Sequence, residues 1–277
     1  MIHLRRAQRF ILSARPFFQS PSCHLAMLNL FRAAAVVLSF CAAASFGAPQ
    51  TIALANGEWP PLLGEHLPNH GFGSQIVSRA FALKQIQVNY QFYPWKRALE
   101  EARSGRVAGT LLWSSNADRQ KDFLISQPVY RSKTMLFFNR SRPIDWQQLR
   151  DLKGKNIGVT NGYSYGETFN GLINNRTLLA DQANTDEQNF AKLLANRIDA
   201  FPCEEIIGMH IIRSEFNPEA LQRINISPKP VHEEPMYLLI SRRHPNAEQL
   251  LHSFNAGLAQ MKRNGELDAI LKKAFQR

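Results

Sequence analysis

Cysteine is scarce in this chain: three occur in 277 residues, and two of them, Cys23 and Cys41, fall within the first 48. Cys203 stands alone in the remainder. No internal disulfide can form there, so that part must hold together through its apolar core. Beyond residue 48 the basic residues are scattered, with only the short pairs Arg242-Arg243 and Lys272-Lys273. No basic stripe alternates with aromatics, which excludes a nucleic-acid partner. No glycine loop carries the lysine that phosphate binding needs, which excludes a nucleotide site. His66 and His70 are four apart, but Pro68 between them spoils a shared helical face. The histidines therefore read as solvated, and neither metal nor cofactor is expected.

The first 48 residues also lack any Asp or Glu. They carry Arg5, Arg6, Arg9, Arg15 and Arg32, followed by an uncharged apolar run over 33–48. That run has the length of a secretory apolar region and is short for a membrane span. Small residues at Ala43, Ala44, Ser45, Gly47 and Ala48 offer a cleavage site. The expectation is a leader over 1–48, with Met27 opening a normal signal peptide, and a mature protein placed in the periplasm. The mature part keeps 28 basic against 22 acidic residues, a net charge of +6. A mild positive field of that kind gathers anionic ligands without saying anything of the fold.

Past the leader, strand and helix patterns alternate. Strands are expected over 51–55, 87–93, 107–113, 134–139, 156–160, 198–202 and 236–241. Helical spacing occurs over 74–84, 95–103, 167–173 and 189–195. Two last helices follow, joined at Gly265, with Gly105 stopping the helix before it. Such alternation argues for an α/β fold with largely parallel sheets. Two polar, proline-containing links, at 140–145 and 232–235, divide it into two lobes: 49–140 plus 236–277, and 145–232.

Four loops follow strand candidates and carry ligand-type residues, where open α/β sheets bind ligands. The first holds Trp59, a surface for stacking or a cation–π contact, or else a core residue beside two prolines. The second holds Ser114, Asn116 and Arg119. The planar guanidinium fork pairs with a carboxylate through two parallel hydrogen bonds; the plainer alternative is a surface ion pair with Asp118 or Asp122. The third is Gly162-Tyr163-Ser164-Tyr165-Gly166, opening a helix whose free N–H groups favour anions, or an ordinary turn. In the fourth, Glu204 lies just past a strand and pairs with an ammonium group, or is merely solvated. Trp95 and Trp113 are candidates to line a pocket, though as residues flanking strands they read rather as core; Cys203 reads as a small buried residue.

These loops occur within a run of motifs. Trp59-Pro60-Pro61-Leu62 comes first, then Gly71-Phe72-Gly73. Ser114-Ser115-Asn116-Ala117-Asp118-Arg119 follows, and then Phe123, Ser126, Pro128 and Tyr130. Next come Leu152, Gly154, Lys155, Ile157, Gly158 and Val159, with Gly162-Tyr163-Ser164 beyond them. Asp199-Ala200 ends the series at Glu204. In this order the chain resembles the family 3 extracellular solute-binding proteins over nearly all of residues 50–277. Leu62, Gly73, Asn116 and Glu204 depart from that family's usual residues.

The resemblance implies a two-lobed, type II periplasmic-binding-protein-like fold with two hinge crossovers. It implies that Arg119 and Ser164 hold an α-carboxylate, that Ser114 and Glu204 hold an α-ammonium, and that Trp59 covers the ligand, with Asn116 and Tyr163 beside them. The implied function is capture of a small carboxylate-bearing ligand, an amino acid, by a monomer that hands it to the membrane component of an ABC transporter. Two other readings stand beside it. One is a dehydratase-like enzyme on the same scaffold, with Glu204 or Glu58 as the acid. The other is a sensing module reporting to a separate membrane partner.

Overall fold

The computed structural model describes residues 50–276. The expected leader, its cleavage site and the Met27 start lie outside the described residues.

The nine strands among the described residues form one hydrogen-bonded array, in the order β2-β1-β3-β9-β5-β8-β6-β7, with β4 also on β9. In the first half, β1 (Gln50–Asn56) lies parallel to β2 (Ile86–Phe92) and to β3 (Gly109–Trp113). In the second, β6 (Asn156–Thr160) lies parallel to β7 (Leu179–Ala183) and to β8 (Ala200–Glu204). Because the strands within each half are parallel, the loops at their carboxyl ends share one edge.

Two strands join the halves. β5 (Tyr130–Asn139) runs antiparallel to β8 and β9. β9 is a single 18-residue strand, Ile224–Ser241. Its early part pairs with β5, and its late part pairs with β3 and with β4 (Phe123–Ile125). The proline-containing stretch 232–235, expected as a link, is therefore part of a strand. Pro228, Pro230 and Pro235 all fall where β9 has only one neighbour, so their missing N–H groups break no second ladder. The expected strand at 134–139 sits within β5, and residues 134–138 bond to β8.

Helices cover both halves. α1 (Phe72–Ala82) buries Ile76, Val77, Ala80 and Phe81, with the Phe81 ring 5.3 Å from that of Phe254 on α8 (Ala247–Arg263). α2 (Trp95–Arg103) buries only Ala98 and Ala102, and it stops where Gly105 takes φ 81°. α3 (Ala117–Asp122) is short and exposed. In the second half come α4 (Glu167–Asn174), α5 (Asp186–Leu194), α6 (Glu205–Glu215) and α7 (Pro218–Arg223). There Phe137, Phe190 and Phe201 meet edge to face at 5.2 and 5.1 Å. α9 (Glu266–Gln276) follows α8. Among the described residues no helix is long and apolar enough to cross a membrane.

Candidate functional site

β3 ends in a bulge. Its register against β9 shifts between Leu111 and Trp113, and Leu112 takes φ 56°, a costly value for a side chain branched beyond Cβ. The bulge re-aims Trp113, whose indole N–H donates to the Thr110 hydroxyl at 2.9 Å. The Arg119 guanidinium lies 4.8 Å from the Trp113 ring centroid. Its Nη1 donates to the Ser114 carbonyl at 2.7 Å and to Ser114 Oγ at 2.8 Å.

Neither acid expected as an alternative partner is free for Arg119. Asp118 pairs with Lys121 at 3.1 Å, and Asp122 with Arg103 at 2.8 Å. No carboxylate among the described residues forms an ion pair with Arg119. Burial pulls its pKa down, while the nearby Glu234 carboxylate pushes it up. A guanidinium stays charged all the same. It is half-buried and oriented, and it forms no ion pair among the described residues.

Asn116 has a structural duty. It is the N-cap of α3, its Oδ1 accepting from the Arg119 backbone N–H at 2.8 Å. Asn116→Ala should cost about 1 kcal/mol of stability through the lost cap, measured by urea unfolding. A loss below about 0.3 kcal/mol would mean that the cap contributes nothing.

Trp59 reaches this group through aromatic contacts. Its ring lies 6.4 Å from Trp95, and Trp95 lies 5.1 Å from Trp113, both edge to face. Trp95 and Trp113, read from sequence as core or as pocket lining, pack on the core, yet each keeps part of its surface exposed and they link Trp59 to Arg119. The only sequence signal for this was the tryptophans themselves. Gly57 makes the row possible: a Cβ there would come within 2.5 Å of the Trp95 ring.

Trp59 and Tyr163 line the same cavity, of about 340 Å³. It joins the loops after β1, β6 and β7 to the face of α6. The structure thus brings the first and third loops together. Tyr163 is 58% exposed on the Gly162–Gly166 turn. Ser164 is exposed beside it and accepts from Asn170 Nδ2 at 2.7 Å. No hydrogen bond among the described residues joins Ser164 to the Arg119 group.

Glu204 differs from its expected role. It is buried as the N-cap of α6, one oxygen accepting from the Ile207 N–H at 2.9 Å and the other from the Tyr130 hydroxyl. The sequence reading assigned it to an α-ammonium; here its carboxylate serves a helix start and the first residue of β5. Burial, against these hydrogen bonds, pushes its pKa up to about 7.

Asp186 is a residue that the sequence reading did not single out. It is 7% exposed at the first position of α5 and lines the cavity with Trp59 and Tyr163. One oxygen accepts from the Thr160 hydroxyl; the other meets the Cys203 thiol at 3.8 Å. Burial raises the pKa of Asp186 and, more strongly, that of Cys203, which is buried as expected.

Elsewhere, a groove of about 650 Å³ between α1 and α9 is spanned by the Arg79–Glu266 ion pair, with Lys273 also on its wall. His70 packs its ring against Tyr90 and Phe92, at 5.5 and 5.6 Å. Among the described residues no three His, Cys, Asp or Glu gather as a metal site.

Known proteins share this fold. The arginine-binding extracellular protein ArtP of Bacillus subtilis (strain 168) is 26% identical over 158 residues, 57% of this chain and 58% of that protein. The chain thus aligns with less than two thirds of the length of this curated relative. The second substrate-binding domain of Lactococcus lactis GlnP, in its open conformation, superposes with a TM-score of 0.64 at 19% identity, over 82% of this chain and 96% of that one. The GluR0 ligand-binding core from Nostoc punctiforme, in complex with L-glutamate, gives 0.57 at 19% identity, over 82% and 100%. Such likenesses establish the fold, a bilobed type II periplasmic-binding-protein fold with two hinge crossovers. Residues 55–277 match the model of the bacterial extracellular solute-binding proteins, family 3, and the chain belongs to that family.

Proposed function

We propose that this protein captures a small carboxylate-bearing ligand, an amino acid, in the periplasm, and delivers it to an ABC-type transporter. The observation that carries the reading is Arg119. It is half-buried, held by Ser114 and Trp113, and without a carboxylate partner among the described residues. A fork so placed suits an α-carboxylate. Ser114 orients the guanidinium, while Trp59, Tyr163 and Ser164 lie on the loops that meet the ligand. A curated relative is named for binding arginine, and a structural relative holds L-glutamate, which supports an amino acid.

The ladder contacts favour lobes whose bounds differ from the proline links. One comprises β1–β4, the late part of β9 and helices α1–α3, α8 and α9. The other comprises β5–β8, the early part of β9 and helices α4–α7. The chain then crosses ahead of Tyr130 and again near Met236, two residues paired with each other. Bending at this pair of crossings closes the lobes on the ligand.

The test is a thermal-shift screen of the purified protein against amino acids, organic acids and polyamines. A ligand that binds only the folded state adds about 2.7 kcal/mol of stability at 100 times its dissociation constant. A clear upward shift with an amino acid is expected. Shifts confined to ligands without a carboxylate would sink the reading.

A further inference from the structure

The groove of about 650 Å³ between α1 and α9 adjoins a second cavity of about 350 Å³. The two share three wall residues, Asn69, Gln75 and Lys273, and together form a trough from Tyr90 on β2 to His210 on α6. Arg119, Ser114, Trp59 and Tyr163 line neither cavity, so the trough is separate from the site proposed above. Its size, and apolar walls broken by a few polar groups, suit a small molecule. The walls are also shaped at a cost. Asn69 and His70 take φ 54° and 58°, left-handed values that residues with side chains rarely adopt in succession. The turn they form sets the His70 ring 5.5 Å from that of Tyr90, and both residues line the groove.

The charges in the trough do not balance. Of Lys, Arg, Asp and Glu, its walls hold Arg79, Glu266 and Lys273 alone. Arg79 and Glu266 pair at 2.6 Å. Lys273 stands two turns beyond Glu266, about 10 Å along α9. It forms no ion pair among the described residues, which leaves one positive charge in excess. The Asn69 and Gln75 side chains make no hydrogen bond among the described residues, and each amide both donates and accepts. All three polar groups common to the two cavities are thus open to an occupant.

We infer that this trough is a second ligand site, for a small organic anion: an aromatic or apolar body bearing one carboxylate, sulfonate or phosphate group. Lys273 takes the anionic group, with Gln75 and Asn69 hydrogen-bonding beside it. The body lies along His70, Tyr90 and Val88. Cationic ligands are disfavoured, because the single carboxylate on these walls already has its partner.

Ligand-observed NMR titration of the full chain with 2-naphthoate, its neutral counterpart 2-naphthamide and inorganic phosphate tests it. Naphthoate should bind at least fivefold more tightly than either of the others. Lys273→Gln should abolish the preference for naphthoate over naphthamide. Ala82→Trp, which fills the groove from the end of α1, should weaken both at least fivefold. Both changes fall on exposed positions, so the fold is kept. Arg119→Ala should leave naphthoate binding unchanged, which separates this site from the proposed capture of a carboxylate ligand. Naphthamide or phosphate binding as tightly as naphthoate would overturn the inference. So would naphthoate binding that survives both trough variants, that is lost with Arg119, or that is absent altogether.

Discussion

Replacing Arg119 by alanine should weaken binding of a carboxylate ligand by about 2–5 kcal/mol, the cost of leaving a desolvated charge without its partner. The effect should fall on the ligand and not on the fold. Arg119 makes no ion pair among the described residues, and the hydrogen bonds of its side chain there run only to Ser114, five positions back. The unliganded melting temperature should therefore move little. Arg119→Lys should recover part of the loss, since it restores the charge without the two-pronged fork. Titration of the two variants with the ligand found by thermal shift checks this. An affinity unchanged in Arg119→Ala would remove the residue from the site.

The second large effect concerns pH. Glu204 has its pKa raised from 4.5 to about 7 in the folded protein. An acid raised on folding holds its proton more tightly in the native state. Its contribution to stability is whole below pH 4.5 and is lost as pH climbs through 7. A shift of that size corresponds to about 3 kcal/mol. Glu204→Gln stays neutral throughout, keeps an oxygen for the Ile207 N–H, and can donate to the Tyr130 hydroxyl. Urea unfolding from pH 4.5 to 8 should show the unchanged protein losing up to about 3 kcal/mol relative to the variant as pH rises. Parallel stability curves would mean that Glu204 is ionised at little cost. The position matters beyond stability, because Tyr130 is the first residue of β5, one of the two strands that join the halves of the sheet.

Local pattern was enough for much of the fold. The strand 156–160 and the helix 95–103 coincide with β6 and α2, because alternation and helical spacing report which face of an element is apolar. The stop at Gly105 was readable because a chain turning at positive φ favours glycine. α6 was not seen. Its four isoleucines at 206, 207, 211 and 212 favour strand by propensity, and burial with a Glu204 cap overrides that preference. β4 and β7 were missed as well. β4 has three residues, and β7 is mostly exposed, so neither carries a periodic signal.

The family motifs, the loop positions and Arg119 belong to the linear sequence, since each is a short-range arrangement of residue types. The continuity of β9, the withdrawal of Glu204 into a helix cap, the tryptophan row and the meeting of Asp186 with Trp59 do not. Each depends on segments far apart in the chain: Trp59 and Asp186 are separated by more than a hundred residues and meet only because α6 and three sheet-edge loops enclose one cavity. Pairing, burial and the charge that burial isolates arise when such segments come together, and no local spacing encodes them.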